Sequence, residues 1–310
     1  MTGVQTCALP ICFPVTILGL TKQLKSEKGW TIFGLGPKYL KLAEECATNI
    51  LEFSGIKYVS IITDMNRKDG FKFPHEHLNV EYRYCPTPDA SPRRDQIDTT
   101  EAWLNKCRRL SVFSTFRYTI SIDADFLVSN TDYDILFDAL SGTGKIIGKR
   151  DFMTHISSIS VADGTPLEPR NLPFNSGALC HATVMAFDTH SKVSSEIFKA
   201  WEYVNDNYEM MAMTYGFPTS PYRNDYALTI ALMIYNGNQP MTLESEYAIP
   251  WPLSTLRVRD HLEPTRINGK LSFKCFDTTS NVYSIIGCPS MHILNKKRFL
   301  EYSDGIKSQP

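Results

Sequence analysis

The 310-residue chain has no run of about 18 consecutive apolar residues, so no helix in it is expected to span a membrane. It has no excess of either charge: 32 Lys and Arg stand against 33 Asp and Glu, for a net charge of −1. No basic patch stands out, so nucleic acid is not expected as a partner. It has no Cys-x-x-Cys pair. Its eight cysteines are scattered, which argues against a structural zinc site and against a dense disulfide framework. Buried free thiols in a reducing, cytoplasmic compartment are the expectation. It has no internal repeat and no clear linker, which favours one domain. What remains is ordinary for a globular protein with an ample core: 43% hydrophobic and 21% charged residues.

The first eleven residues, MTGVQTCALPI, read as the translation of a short-read sequencing adapter. Residues 1–12 are therefore set aside as an artefactual tail, the globular part is expected over 13–310, and the native N-terminus is expected to be missing.

The chain is organised around Tyr118-Thr-Ile-Ser-Ile-Asp123-Ala-Asp125-Phe-Leu-Val128. Tyr118, Ile120 and Ile122 alternate with Thr119 and Ser121, the period of a strand. Two carboxylates then interrupt the apolar run, which resumes as Phe-Leu-Val. Like charges in so apolar a segment are costly unless something positive meets them, and a divalent cation does so most simply. A strand's carboxyl end is also where open α/β sheets bind ligands.

Around this stretch the pattern is strand, helix, strand. Residues 31–36 read as a short strand ending in Gly34-Leu-Gly36. Pro37 is well placed in a first helical turn, and Tyr39, Ala43, Cys46, Ala47 and Ile50 keep helical spacing. Strands follow at 57–63, which ends on Asp64, and at 78–84. A Pro-rich loop over 85–98 carries Arg93 and Arg94, which could reach a phosphate. A helix over 99–115 carries Lys106. Beyond the carboxylates the pattern predicts a helix at 133–140, a strand at 145–149 and a loop or lid over 151–174. It then predicts a strand at 182–187, a helix at 191–208, a loop at 214–224 and a helix from Tyr226 to Tyr235. The last third is strand-like and irregular, with His292 between apolar neighbours. The alternation argues an α/β sheet.

In this order the features resemble the GT-A glycosyltransferases, especially the glycogenin-like and galactosyltransferase-like branch, over roughly residues 30–300. The strongest match is Thr119-Ile-Ser-Ile-Asp-Ala-Asp-Phe-Leu-Val128, a hydrophobic strand, Asp-x-Asp and a second hydrophobic run. The resemblance implies a Rossmann-like fold with a mixed central sheet flanked by helices. It implies Mn²⁺ or Mg²⁺ on Asp123, Asp125 and the late His292, with the diphosphate of a nucleotide-sugar bound through the ion. Lys106, seventeen residues before Asp123, matches a lysine facing the nucleotide. Phe33, Gly34 and Asp64 match the region that holds base and ribose, and Arg94 is assigned to the donor with them. Asn175-Ser176-Gly177 and Asp225 match the segments facing sugar and acceptor. The family often closes with His-x-x-Gly-x-x-Lys; here the lysines are Lys296 and Lys297, four and five residues after His292.

The residue types suit that chemistry independently. Cleaving a sugar–phosphate bond builds negative charge on the leaving diphosphate, which a hard cation on carboxylates neutralises and nearby lysines or arginines further stabilise. Asp225 is a candidate base if the reaction inverts; if it retains, the leaving phosphate itself takes the proton. A sugar-phosphate nucleotidylyltransferase would need a Gly-rich, Arg-containing loop after the first strand, which Gly34–Tyr39 lacks. An aspartate-nucleophile phosphatase would need Thr or Val where Leu127 stands. A binding-only relative with dead chemistry is the non-enzyme alternative. The expected activity is thus a metal-dependent transfer of sugar from a nucleotide-diphosphate sugar to the hydroxyl of a glycan, lipid or protein.

Overall fold

Strands in which every side chain is buried need a covered surface on both faces of their sheet. In the central sheet, among the described residues, β2 (Val59–Thr63) and β4 (Tyr118–Ile122) are such strands. The computed structural model describes residues 25–76, 78–85, 110, 114–143, 147–153, 177–219, 222–238, 248–249, 255–256, 261–267, 270–277, 281–286 and 290–307. Within them β2 and β4 flank β1 (Lys28–Phe33) in parallel, and β3 (Val80–Tyr84) extends the sheet beyond β2. β7 (Gly177–Asp188) runs antiparallel to β4, and β6 (Ile147–Met153) antiparallel to β7. With β8 (Ala248–Ile249) at the edge, the order is β3-β2-β1-β4-β7-β6-β8. The expected α/β architecture, a mixed central sheet flanked by helices, is the one observed.

The two faces are read off β7. Val184 and Ala186 join a core with Trp30, Ile32 and Ile122, whereas Met185 and Phe187 join a second core with Trp201 and Leu228. The first core is covered by α1 (Gly36–Phe53), α2 (Ile135–Thr143) and α6 (Lys296–Lys307); the second by α3 (Lys192–Asp206), α4 (Tyr208–Tyr215) and α5 (Asn224–Tyr235). On α1 the buried Leu40, Ala43, Ala47 and Ile50 repeat at helical spacing, the stripe expected of a helix lying on a sheet. Each large apolar side chain buried in this way contributes about 1.5–3 kcal/mol.

Several boundaries differ from the sequence expectation. β1 lies three residues earlier than expected, because Lys28 and Gly29 pair with Tyr118 and Thr119 of β4. Gly29 is required there: a Cβ on it would meet the Phe116 ring at 2.4 Å. β7 starts at Gly177, not Ala182, because its first residues pair with β6 from Met153↔Gly177 to Lys149↔His181. That pairing does not need an apolar alternation. It also turns residues 151–153 of the expected loop into strand. The expected helix 191–208 breaks at Asn207, whose side chain bonds the Tyr203 carbonyl. The chain continues as α4 into part of the expected 214–224 loop, until Gly216 in the left-handed region ends it. Neither β10 (His261–Ile267), paired with β11 (Lys270–Asp277), nor α6 was anticipated. The tail 1–12, the loop 86–98, the Lys106 segment and most of 151–176 lie outside the described residues.

Gly34 is a packing glycine. Its N–H bonds the Ile62 carbonyl, and a Cβ on it would lie 2.9 Å from Leu40 Cα and 3.1 Å from Ala43 Cβ. Backbone is the neighbour, so the helix itself would have to move. Gly34→Ala is expected to lower stability by about 1–3 kcal/mol, read from the urea midpoint; an unchanged midpoint would show that α1 yields freely.

Candidate functional site

Three parallel strands deliver their carboxyl ends to one edge of the sheet, the edge at which such sheets bind ligands. Phe33 ends β1, Asp64 follows β2 and Asp123 follows β4. β7, being antiparallel, brings its first residues to the same edge.

Past Ile122 the chain turns, with the Phe126 N–H bonded to the Asp123 carbonyl at 3.0 Å. The resumed apolar run does not continue β4. It forms β5 (Phe126–Leu127), which leaves the central sheet and pairs antiparallel with β13 (Met291–Ile293), setting His292 opposite Phe126. The Ile293 N–H bonds the Asp125 carbonyl at 3.0 Å. Cys46 of α1, buried beneath, donates to the Phe126 carbonyl at 3.1 Å. Two carboxylates two residues apart are thus brought to an imidazole from the far end of the chain. One ligand atom from each of Asp123, Asp125 and His292 lies within 4.8 Å of the others. Carboxylate oxygens with one imidazole nitrogen are a donor set that suits Mn²⁺ well and Mg²⁺ by its oxygens.

Asp125 is 4% exposed. His292 Nε2 stands 3.4 Å from its Oδ1 and Lys296 Nζ 2.6 Å from its Oδ2. Burial by itself would raise the Asp125 carboxyl; the His292 and Lys296 contacts outweigh it and hold the group well below the usual carboxylate range. Burial likewise would lower the Lys296 ammonium, but Asp125 holds it above its usual range. Tyr39, half-buried on α1, faces the same group of charges. Burial pushes its phenol up, Lys296 opposes this and the two aspartates add to it, so it stays a neutral hydroxyl.

A second charged group sits one peptide away. The Asp123 N–H bonds the Thr183 carbonyl at 3.1 Å, and the adjacent Ala182 N–H donates to Asp225 Oδ1 at 2.9 Å. Asp225 lies in the first turn of α5 without capping it; its carboxylate ties the helix to β7. Arg223 Nη2 is 3.2 Å and His181 Nδ1 3.7 Å from its Oδ2. Burial would raise this carboxyl, but His181, Arg223 and the Ala182 N–H together hold it well below the usual range.

The other expected residues divide clearly. Asp64 Oδ1 accepts from the Gly36 N–H at 2.7 Å, which anchors the start of α1 and places a negative charge at a helix N-terminus. Gly34 lets α1 approach the sheet, and Phe33 packs beside it against the second core. Gly177 opens β7. Arg94, Lys106, Asn175 and Ser176 lie outside the described residues. Sequence reasoning did not single out His181, Arg223, Lys296 or Tyr39 for the site. His181 sits in a strand whose start was misplaced, and Tyr39 reads as one more apolar position on a helix. Lys296 was noticed only as a lysine beyond His292.

Among the described residues no helix is long and apolar enough to cross a membrane. No protein family and no curated protein matches the sequence. Solved structures with a similar course include mouse xyloside xylosyltransferase 1 in its apo form, with 11% identity and a TM-score of 0.43 over 70% of this chain and 84% of that one. The apo glycosyltransferase GlyE of Streptococcus pneumoniae TIGR4 aligns at 12% identity and a TM-score of 0.38, over 72% of this chain and 46% of that one. The apo bifunctional glycosyltransferase WbbM aligns at 16% identity and a TM-score of 0.38, over 60% of this chain and 35% of that one. The chain spans less than half the length of the latter two.

Proposed function

We propose that the chain is a GT-A-type glycosyltransferase, one catalytic unit over 13–310, that transfers sugar from a nucleotide-diphosphate donor to the hydroxyl of a glycan, lipid or protein. The observation that carries this reading is the convergence of Asp123, Asp125 and His292 at the carboxyl ends of the parallel strands of the mixed sheet. These three residues hold Mn²⁺ or Mg²⁺, the imidazole favouring Mn²⁺. When bound, the ion neutralises the charge that grows on the leaving diphosphate. Phe33, Gly34 and Asp64 shape the base and ribose side, and Arg94 and Lys106 are assigned to the donor phosphates. Asn175, Ser176, Gly177 and Asp225 are assigned to sugar and acceptor. The Asp225 carboxylate, held as an anion by three partners, is a weak proton acceptor. This favours a course in which the leaving phosphate takes the acceptor's proton.

The test is release of nucleoside diphosphate from a panel of nucleotide-sugars with Mn²⁺ and with EDTA. Turnover with Mn²⁺ that EDTA abolishes is expected; equal turnover in EDTA would sink the metal-dependent reading. One observation favours a second reading, a binding-only relative: a lysine is already seated on Asp125. Metal-dependent binding without turnover across the panel would establish it.

A further inference from the structure

The Lys296 ammonium stands 2.6 Å from Asp125 Oδ2, closer than the His292 imidazole to Oδ1 at 3.4 Å. It also lies 3.4 Å from the Leu294 carbonyl, and it is set there by the first turn of α6, directly after β13. A cation reaching Asp125 therefore meets a carboxylate that is already ion-paired. The ammonium offsets one of the carboxylate charges that would otherwise attract a doubly charged ion. The ammonium and the ion also repel each other at short range in a mostly buried setting, where screening is weak.

We propose that Lys296 is a built-in competitor for the cation site, so that a divalent ion binds only by displacing its ammonium from Asp125. The inference rests on the metal reading of Asp123, Asp125 and His292. Lys296 takes the positive charge's place while no ion is bound and keeps the two aspartates from repelling each other. Its side chain is 26% exposed, so the displaced ammonium has a path to solvent. Displacement exchanges a single positive charge for a double one, which makes the group less negative and readies it for an anionic diphosphate.

Lys296→Gln removes the charge with little change in size. Lys297→Gln makes the same change in net charge at an exposed neighbour on the same helix. Mn²⁺ binding is followed by the loss of the free-ion paramagnetic resonance signal, and the melting temperature is measured in EDTA and in saturating Mn²⁺. Lys296→Gln is expected to bind Mn²⁺ at least tenfold more tightly than the unmodified chain. It is also expected to melt lower in EDTA and to gain more from Mn²⁺, with Lys297→Gln unchanged in all three. Equal or weaker Mn²⁺ binding by Lys296→Gln overturns the competition and leaves the metal site standing. Equal tightening by Lys297→Gln also overturns it, as a general effect of charge. Absence of Mn²⁺ binding from all three proteins overturns the metal site itself.

Discussion

Asp125→Asn is expected to lower Mn²⁺-dependent turnover of the donor by about 10³-fold or more while leaving a folded protein, a loss of about 4 kcal/mol in transition-state stabilisation. The expectation follows from position. Asp125 is the buried member of the pair and the one in contact with both His292 and Lys296. Its backbone carbonyl, which holds Ile293 of β13, is untouched by the change. Asn keeps the side chain's shape, so β5 and β13 should stay paired. Asp125→Ala is the harsher version, because it removes the acceptor from both His292 and Lys296. Lys296 can turn to water, so the extra stability loss is expected to stay at about 1–3 kcal/mol. Circular dichroism melting alongside turnover separates the two effects. Turnover within tenfold of the unmodified chain, in a protein that still requires Mn²⁺, would remove Asp125 from the cation site.

The second large effect is expected at Asp225, on stability and its pH dependence. Asp225→Asn should cost about 3 kcal/mol near neutral pH, the usual scale for breaking a buried charge pair from one side. Arg223 and His181 lose their counter-charge, whereas the amide oxygen can still accept from Ala182. The sign with pH follows from the direction of the shift. The folded carboxyl lies below its usual range, whereas in the unfolded chain it titrates near 3.9. At pH above about 5 the unfolded chain binds essentially no more protons at this group than the folded one, and the full contribution is present. As pH falls below that value the unfolded chain takes up the proton first, and the contribution shrinks until the folded carboxyl also titrates. The gap in urea midpoint between Asp225→Asn and the unmodified chain should therefore close progressively as pH falls from about 5 towards pH 2. A gap as wide at pH 2.5 as at pH 7 would contradict the depressed carboxyl.

How much of this was legible in the sequence depends on the range of the forces involved. Alternating apolar residues made β4 legible, and Val59, Ile61 and Ile62 made β2 so, because a buried strand must carry apolar side chains at most of its positions. Helical spacing did the same for α1. The start of β7 was not legible, because Gly177 to His181 are held by backbone pairing to β6, and backbone hydrogen bonds carry no side-chain signature. The short α4 also escaped, because it falls largely between the helix expected to end at 208 and the loop expected from 214.

The site divides along the same line. The sequence by itself determined that Asp123 and Asp125 stand together at a strand's end, because their spacing is local and their cost in an apolar run demands a positive partner. It could not say which positive group answers them. Only the tertiary structure decided that, by splitting the run after Asp125, pairing β5 with β13 and so delivering His292 and Lys296 to the same carboxylate. It likewise joined His181, Arg223 and Asp225 one peptide of β7 away. Those contacts close loops of more than forty residues between Ala182 and Asp225, and of far more between Asp125 and Lys296. Chain closure over such lengths is set by the packing of whole elements and not by any short pattern of residues.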